Sequence, residues 1–352
     1  MNTKPPSFGV WHDFRQGLPW AGEWPPFYRE CLEEVVVAER LGFEQVWLTE
    51  NHFVDDGYLP SPMVVAGAIA VRTERIRIGI NVVVLPLHHP LRVAEDAAVV
   101  DLLSGGRFTL GVGVGYVQNE FETFGVDRTH RPSLLEEGIA VIRQAWDEGR
   151  IGFVGKRWSF ADLPIGPRPT RRIPIYVGGA APAAIDRAAR LGDGFLASRN
   201  VATAGNAAYV ESYRLLQAAL RRHGRSPADC AFVVGCHVYV HDDPRRAWAD
   251  VAPGLAYQVN QYLRWGTDAD QPKPSPVRVD DLNPENYFVG TPEQVAERLI
   301  RLYREAPYNH LCFWARLPGL SHEQAVGSMR RFSENVVPHV RSALGIAASA
   351  ST

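Results

Sequence analysis

The chain contains no apolar run approaching the roughly 20 residues that a membrane-spanning helix requires. Residues Met1 to Ser7 show no apolar secretory segment, so the expected location is the cytoplasm. Cysteine is scarce. Cys31, Cys230, Cys236 and Cys312 are too few and too scattered for a disulfide framework, and none forms a close metal-ligand pair, which predicts reduced core residues. A basic excess is also missing: the formal net charge of −2 argues against a nucleic-acid partner, which needs surplus Lys and Arg to neutralise phosphates. What remains is the composition of an ordinary soluble enzyme, 46% hydrophobic and 22% charged over 352 residues, with ample material for a large core.

Short β-rich runs alternate with helical runs of about ten to twenty residues, the rhythm of βαβ units around a parallel sheet. Eight strands are expected, at Phe8 to Phe14, Gln45 to Thr49, Ile76 to Leu85, Phe108 to Val114, Ile175 to Gly178, Gly194 to Ala197, Ala231 to Val240 and His310 to Trp314. Several read as continuous apolar runs, as barrel strands buried on both faces should. Between them, apolar spacings of three and four predict helices such as Phe27 to Leu41, Leu91 to Leu103, Leu134 to Trp146 and Pro292 to Tyr303. Thr291-Pro292-Glu293-Gln294 supplies a cap, a proline at the first helical position and suitable first-turn groups, so a helix begins near 292.

The expected architecture is a (β/α)₈ barrel forming one domain over residues 1–345, with a tail at 346–352. Two segments interrupt it: 149–172, with a hairpin around Gly155, and 266–286, polar and long enough to read as a mobile lid over the barrel mouth.

In such a barrel, chemistry belongs to the C-terminal strand ends. That rule selects Trp11, His12 and Asp13; Glu50, Asn51 and His52; Asn81; the run Gly111 to Tyr116; Gly178 to Ala181; and Ser198 with Arg199. The alternating glycines from 111 to 115 lack the acidic ribose partner of a dinucleotide fingerprint, and fit backbone lying against something flat or a tight strand-to-loop turn. Gly179-Ala180-Ala181 leads into a helix near Pro182, where free amides would suit a phosphate, though a plain turn would look the same. His52 is a strand-end imidazole beside Glu50, suited to acid or base work near neutral pH. His88-His89-Pro90 reads as loop-shaping, and too few ligands can be assembled for a metal.

The strings themselves resemble the bacterial luciferase-like flavin-dependent monooxygenases. The resemblance runs from Ala38 to Phe43 and Val46 to Phe53, through Leu85 to Arg92 with Glu95-Asp96, Asp101 to Phe108, the Gly111 to Tyr116 turn, Glu120-Phe121 and Phe124 to Val126. It continues through Pro174 to Gly179, Gly290 to Glu293 and Phe332 to Pro338. It implies a barrel that holds reduced FMN, usually delivered by a separate flavin reductase, at its mouth. There O₂ adds at flavin C4a, and the peroxide oxidises a small to medium organic substrate.

A branch of the same fold uses the deazaflavin F420 for hydride transfer instead, and a flavin-binding protein without catalysis is a third reading. A homodimer is expected from the family. The implied flavin contacts are Asn81, Val82, Gly113, Val114, Gly179, Ala180, Ala181, Ser198 and Arg199, with a non-proline cis peptide at Asn81-Val82. His52 and Glu120 are the implied acid and base, with His12 next in line. The chain departs from the resembled pattern twice. Asn51 stands where luciferases place their usual catalytic histidine, and Val114 stands where many relatives place an arginine for the flavin phosphate, a role left to Arg199 or the amides near Ala181.

Overall fold

In the computed structural model, residues 5–198, 205–268 and 271–346 are described. Eight parallel strands close on themselves: β1 (Ser7–His12), β2 (Gln45–Leu48), β3 (Arg77–Ile80), β4 (Phe108–Gly113), β5 (Ile175–Gly179), β6 (Gly194–Ala197), β7 (Ala231–Cys236) and β8 (His310–Trp314). β1 pairs with β2 and β8, and the β3–β4 pairing completes the ring. Helices alternate with the strands, as the apolar periodicity predicted: Trp24–Arg40, Pro62–Arg72, Pro90–Leu103, Arg131–Glu148, Pro182–Leu191, Ala207–Arg222 and Pro292–Glu305. The start of the last is fixed as expected, by a reciprocal pair in which Thr291 Oγ1 accepts from the Gln294 amide and Gln294 Oε1 accepts from the Thr291 amide. All four cysteines are free and buried. Among the described residues no helix is long and apolar enough to cross a membrane.

Side chains alternate across each strand. The outward set, including Phe8, Val10, Val46, Ile78, Leu110, Val112, Phe195 and Phe313, forms one core with the surrounding helices. The inward set fills the barrel by a different device, with large rings seated over glycines of adjacent strands or, for Trp11 over Gly235, of the strand one beyond. A Cβ at Gly79 would lie 2.4 Å from Trp47, at Gly235 2.3 Å from Trp11, and at Gly194 2.7 Å from Tyr176. Trp11 also stacks on Trp314 at 4.2 Å between ring centroids, and Trp47 on Tyr176 at 5.8 Å. A cluster centred on these rings is therefore distinct from the outer core, and it stops the barrel from being a pore.

Two expected strands are shorter than the sequence suggested. The run from Ile76 to Leu85 breaks after Ile80, where the Asn81–Val82 peptide is cis, and resumes only at Val83–Val84. The run from Ala231 to Val240 breaks at His237; Val238–Val240 leaves the barrel and pairs with Phe288–Gly290. Continuous apolar composition could not reveal either break, because both continuations remain buried. The expected hairpin is present as Arg150–Val154 against Ser159–Pro164. The expected lid at 266–286 includes residues 269–270, which lie outside the described set. Its remainder carries two short 3₁₀ turns and is tied down where Asn260 exchanges two 2.8 Å hydrogen bonds with Val277. The expected tail beyond 346 lies outside the described residues.

Candidate active site

The loop after β2 places Glu50 at the mouth with its carboxylate almost entirely buried. One oxygen, Oε1, accepts from His52 Nε2 at 2.9 Å and from His88 Nε2 at 2.5 Å, while Oε2 accepts from the Val84 amide at 2.6 Å. Burial disfavours the charge, but the hydrogen bonds from His52 and His88 outweigh it and bring the carboxyl down to about 2. Glu50 is thus ionised at working pH. Its charge raises His88 above the ordinary imidazole value, against the opposing effect of burial. With an ionised acceptor at Nε2, the neutral His52 ring carries its proton there and leaves the Nδ1 lone pair as its acceptor.

Behind this pair lies Glu120, in the short helix Gln118–Thr123. It is 2% exposed, and its Oε1 accepts from the His52 amide at 2.7 Å. Burial raises its carboxyl to about 7, helped by the Glu50 charge and opposed by the His52 amide. Two carboxylates hydrogen-bonded to the same residue, Glu50 to the His52 ring and Glu120 to its amide, are therefore driven to opposite ends of the acid range, the arrangement that separates a fixed anion from a group able to exchange protons. Asn51 turns inward, its Oδ1 accepting from the His52 amide at 3.0 Å, so it shapes this turn.

The floor of the mouth is built around Val82. A Cβ at Gly113 or at Gly178 would each come within 2.6 Å of a Val82 methyl, so these glycines are small because Val82 occupies the space between β4 and β5. Gly111 is excluded from a side chain by the Ile80 carbonyl, only 1.9 Å from where its Cβ would stand. The flat object that the glycine run was expected to meet is thus the chain's own third strand. Asn81, Val82 and Val114 keep partial exposure above this floor. Beside it, Gly179 leads through exposed Ala180 and Ala181 to the ten-residue helix Pro182–Leu191, with Ser198 exposed at the adjacent strand end. An apolar shelf flanked by a helix N-terminus fits a ring system carrying an anionic tail. Arg199, expected to help grip that tail, lies outside the described residues.

A cavity of about 290 Å³ opens beside His52, between the loops after β1, β2 and β4 and the long helix Pro244–Trp265. That helix is anchored to the loop after β2 by Tyr257, which donates to Asp56 Oδ2 at 3.1 Å, and by the 3.0 Å contact between the Tyr58 and Tyr262 hydroxyls, and to the loop after β1 by the Leu18 amide, which donates to the Tyr257 hydroxyl at 3.4 Å. Beneath it Arg15 is wholly buried, paired with Asp13 and Asp56 and lying 4.9 Å from the Tyr58 ring centre.

Two sequence expectations change. His12, ranked behind His52 for chemistry, points outward from β1, where its Nε2 meets buried Glu34 Oε2 at 2.7 Å; Glu34 also accepts from His322 and Arg316. Alternation was the available signal, since Trp11 facing inward puts His12 outside. His88, set aside as loop-shaping, belongs to the site, because its pairing with Glu50 spans 38 positions of sequence and no local pattern encodes it. Donor atoms of Glu50, His52 and His88 fall within 4.8 Å of one another, so the fold gathers three potential ligands, of which local sequence pattern kept only His88 apart.

Comparison with known proteins agrees with this architecture. The luciferase-like monooxygenase family model matches residues 7–310. An F420-dependent glucose-6-phosphate dehydrogenase of Microbacterium testaceum is 28% identical over 337 residues, covering 89% of this chain and 93% of that protein. The alkanal monooxygenase alpha chain of Photorhabdus luminescens is 24% identical over 331 residues, covering 87% and 90%. Among solved structures, the monooxygenase RslO1 from Streptomyces bottropensis superposes with a TM-score of 0.82 at 24% identity, covering 95% of this chain and 99% of that one. With most of its length matched by the family model, and the barrel and strand-end motifs in place, the chain belongs to the luciferase-like monooxygenase family.

Proposed function

We propose that this chain is a flavin-dependent monooxygenase that takes reduced FMN from a separate reductase and uses O₂ to oxidise a small to medium organic substrate. The observation that carries the reading is the Val82 shelf and the Glu50–His52–Glu120 group brought together at the strand ends, linked where the Val84 amide donates to Glu50. Bound FMN would supply the two electrons and the oxygen-activating ring. The residues suited to hold it are Asn81, Val82, Gly113 and Val114 beneath the ring, and Gly179 to Ala181 with Ser198 at the phosphate.

The chain's own part is proton handling and exclusion of water. Glu50 fixes the His52 tautomer, so that Nδ1 takes a proton from substrate or from water at the reacting centre. Glu120, titrating near neutrality, exchanges a proton with the same space. The helix Pro244–Trp265 roofs the mouth and limits solvent.

A second reading is favoured by the 28% identical relatives named as F420-dependent dehydrogenases: the same groups would take a hydroxyl proton while a hydride leaves the substrate for the deazaflavin. Anaerobic titration separates the two. Under the monooxygenase reading, reduced FMN binds more tightly than oxidised FMN and more tightly than F420, and turnover consumes O₂ with label from ¹⁸O₂ in the product. Preference for F420, with turnover indifferent to O₂, would transfer the assignment to the dehydrogenase branch.

A further inference from the structure

The cavity beside His52 has a lopsided set of charges. Among the described residues, three carboxylates line it, Asp55, Asp56 and Glu122, against one guanidinium, Arg264. Asp56 is answered by buried Arg15, which is itself shared with Asp13. That leaves Asp55 and Glu122, both exposed, as the carboxylates not met by an arginine; Glu122 accepts from Gln118 Nε2 at 2.5 Å, and Arg264 lines the same cavity. The next guanidinium on this side, Arg128, is closed in a 2.8 Å pair with Asp268.

The remaining wall is apolar or neutral. Trp265 and Tyr257 face the cavity from the roof helix; the Gln261 amide, and the second N–H of Gln118, whose Nε2 already donates to Glu122 at 2.5 Å, can hydrogen-bond uncharged oxygen. Around the entrance, large apolar side chains stand in water: Phe53 is 54% exposed and Phe124 44%, their rings 5.1 Å apart, and Trp20, 42% exposed, lies against Tyr257. Such a contiguous apolar rim marks a surface that apolar molecules visit.

From this we infer that the cavity takes an uncharged, planar aromatic substrate bearing hydroxyl or carbonyl groups, and rejects phosphorylated ones, including the glucose 6-phosphate named for the relatives. The inference rests on the reading that substrate enters beside His52. Aromatic faces on Trp265 and Tyr257 match a flat ring, the glutamine amides meet its oxygen functions, and His52 receives the proton of its hydroxyl. A phosphate dianion would bring like charges together at Asp55 and Glu122 without the arginine pairs that such groups demand.

A matched pair of probes tests this in the intact chain without cofactor: 1-naphthol and 1-naphthyl phosphate, titrated by calorimetry at pH 8. The same ring is presented with and without charge, and the readout does not depend on which redox cofactor the protein uses. A failure of the FMN assignment would therefore leave it standing. The expected result is that 1-naphthol binds about tenfold or more tightly than its phosphate. Asp55→Asn combined with Glu122→Gln, both exposed positions, should close most of that gap by improving phosphate binding, and Trp265→Ala should weaken naphthol binding several-fold. Equal or tighter binding of the phosphate, or a gap unchanged by the double substitution, would overturn the proposal. So would naphthol affinity that is indifferent to Trp265.

Discussion

Two places in this barrel use the same device and put it to opposite ends. Under β1, Glu34 accepts from His12 and His322; at the mouth, Glu50 accepts from His52 and His88. Both carboxylates are buried and both are brought down to about 2, burial being outweighed by imidazole hydrogen bonds. They differ in the next charge outward. Glu34 has Arg316, which holds it at 3.2 Å and Glu30 at 2.7 Å, so the cluster is neutralised by a permanent cation. Glu50 has Glu120 instead, an acid pushed towards neutrality by burial and by Glu50 itself. A guanidinium ends the proton chemistry of a histidine–carboxylate group, whereas a second acid extends it. The donor–acceptor pattern alone does not say which cluster is functional.

The comparison is broken most severely by His52→Ala. General acid–base groups contribute about 10² to 10⁴ in rate, so product formation should fall by that order, while affinity for reduced FMN and the urea midpoint hold. Near-normal turnover in single-turnover assays would move the role to Glu120.

Next comes Glu34→Ala, which leaves the buried His12 ring without its acceptor and removes one of the two carboxylates that hold Arg316. Removing one partner from a buried ionic group costs about 3 to 5 kcal/mol, to be read from denaturant unfolding, with the rate per folded molecule unchanged. A loss below about 1 kcal/mol would show that the Glu34 group is not structural and would erase the distinction drawn here.

The smallest effect sharpens the comparison through pH. Because the folded Glu120 carboxyl sits near 7, above its ordinary value of 4.5, the native state binds that proton more tightly than the unfolded chain. The resulting stabilisation is complete below about 4.5 and is lost as pH rises through about 7. Glu34 and Glu50 have the reverse sign, stabilising above the ordinary carboxylate range and losing that contribution as pH falls towards 2. Glu120→Gln should therefore flatten the unfolding midpoint between pH 5 and pH 8 while leaving the acid limb in place. An unaltered slope over that window would show that Glu120 titrates as an ordinary surface acid.

Strand and helix placement was legible because it is written in local periodicity: six of the eight strands end within two residues of where alternation and apolar runs put them. The ends of the other two were hidden by buried continuations at Val83 and Val238. The site was legible to the extent that strand-end position marks it, which found Glu50, His52 and, through family resemblance, Glu120. Non-local partnership was not legible. His88 joins Glu50 only when the loops after β2 and β3 are brought together, and Val82 explains Gly113 and Gly178 only across strand pairings. His12 was misjudged for a simpler reason: strand-end position was weighed without the two-residue alternation that turns it away from the mouth.

The rings seated over glycines inside the barrel carry a consequence for how this sequence can drift. Trp11 fills the notch at Gly235, Trp47 that at Gly79, and Tyr176 that at Gly194, with no slack for even a methyl group. Neither member of a pair can change first without penalty, since a larger notch residue collides and a smaller ring leaves a void. Substitution at these sites should therefore proceed by compensated double steps, and a family tree read at Trp11 and Gly235 together would show them exchanging bulk as a unit.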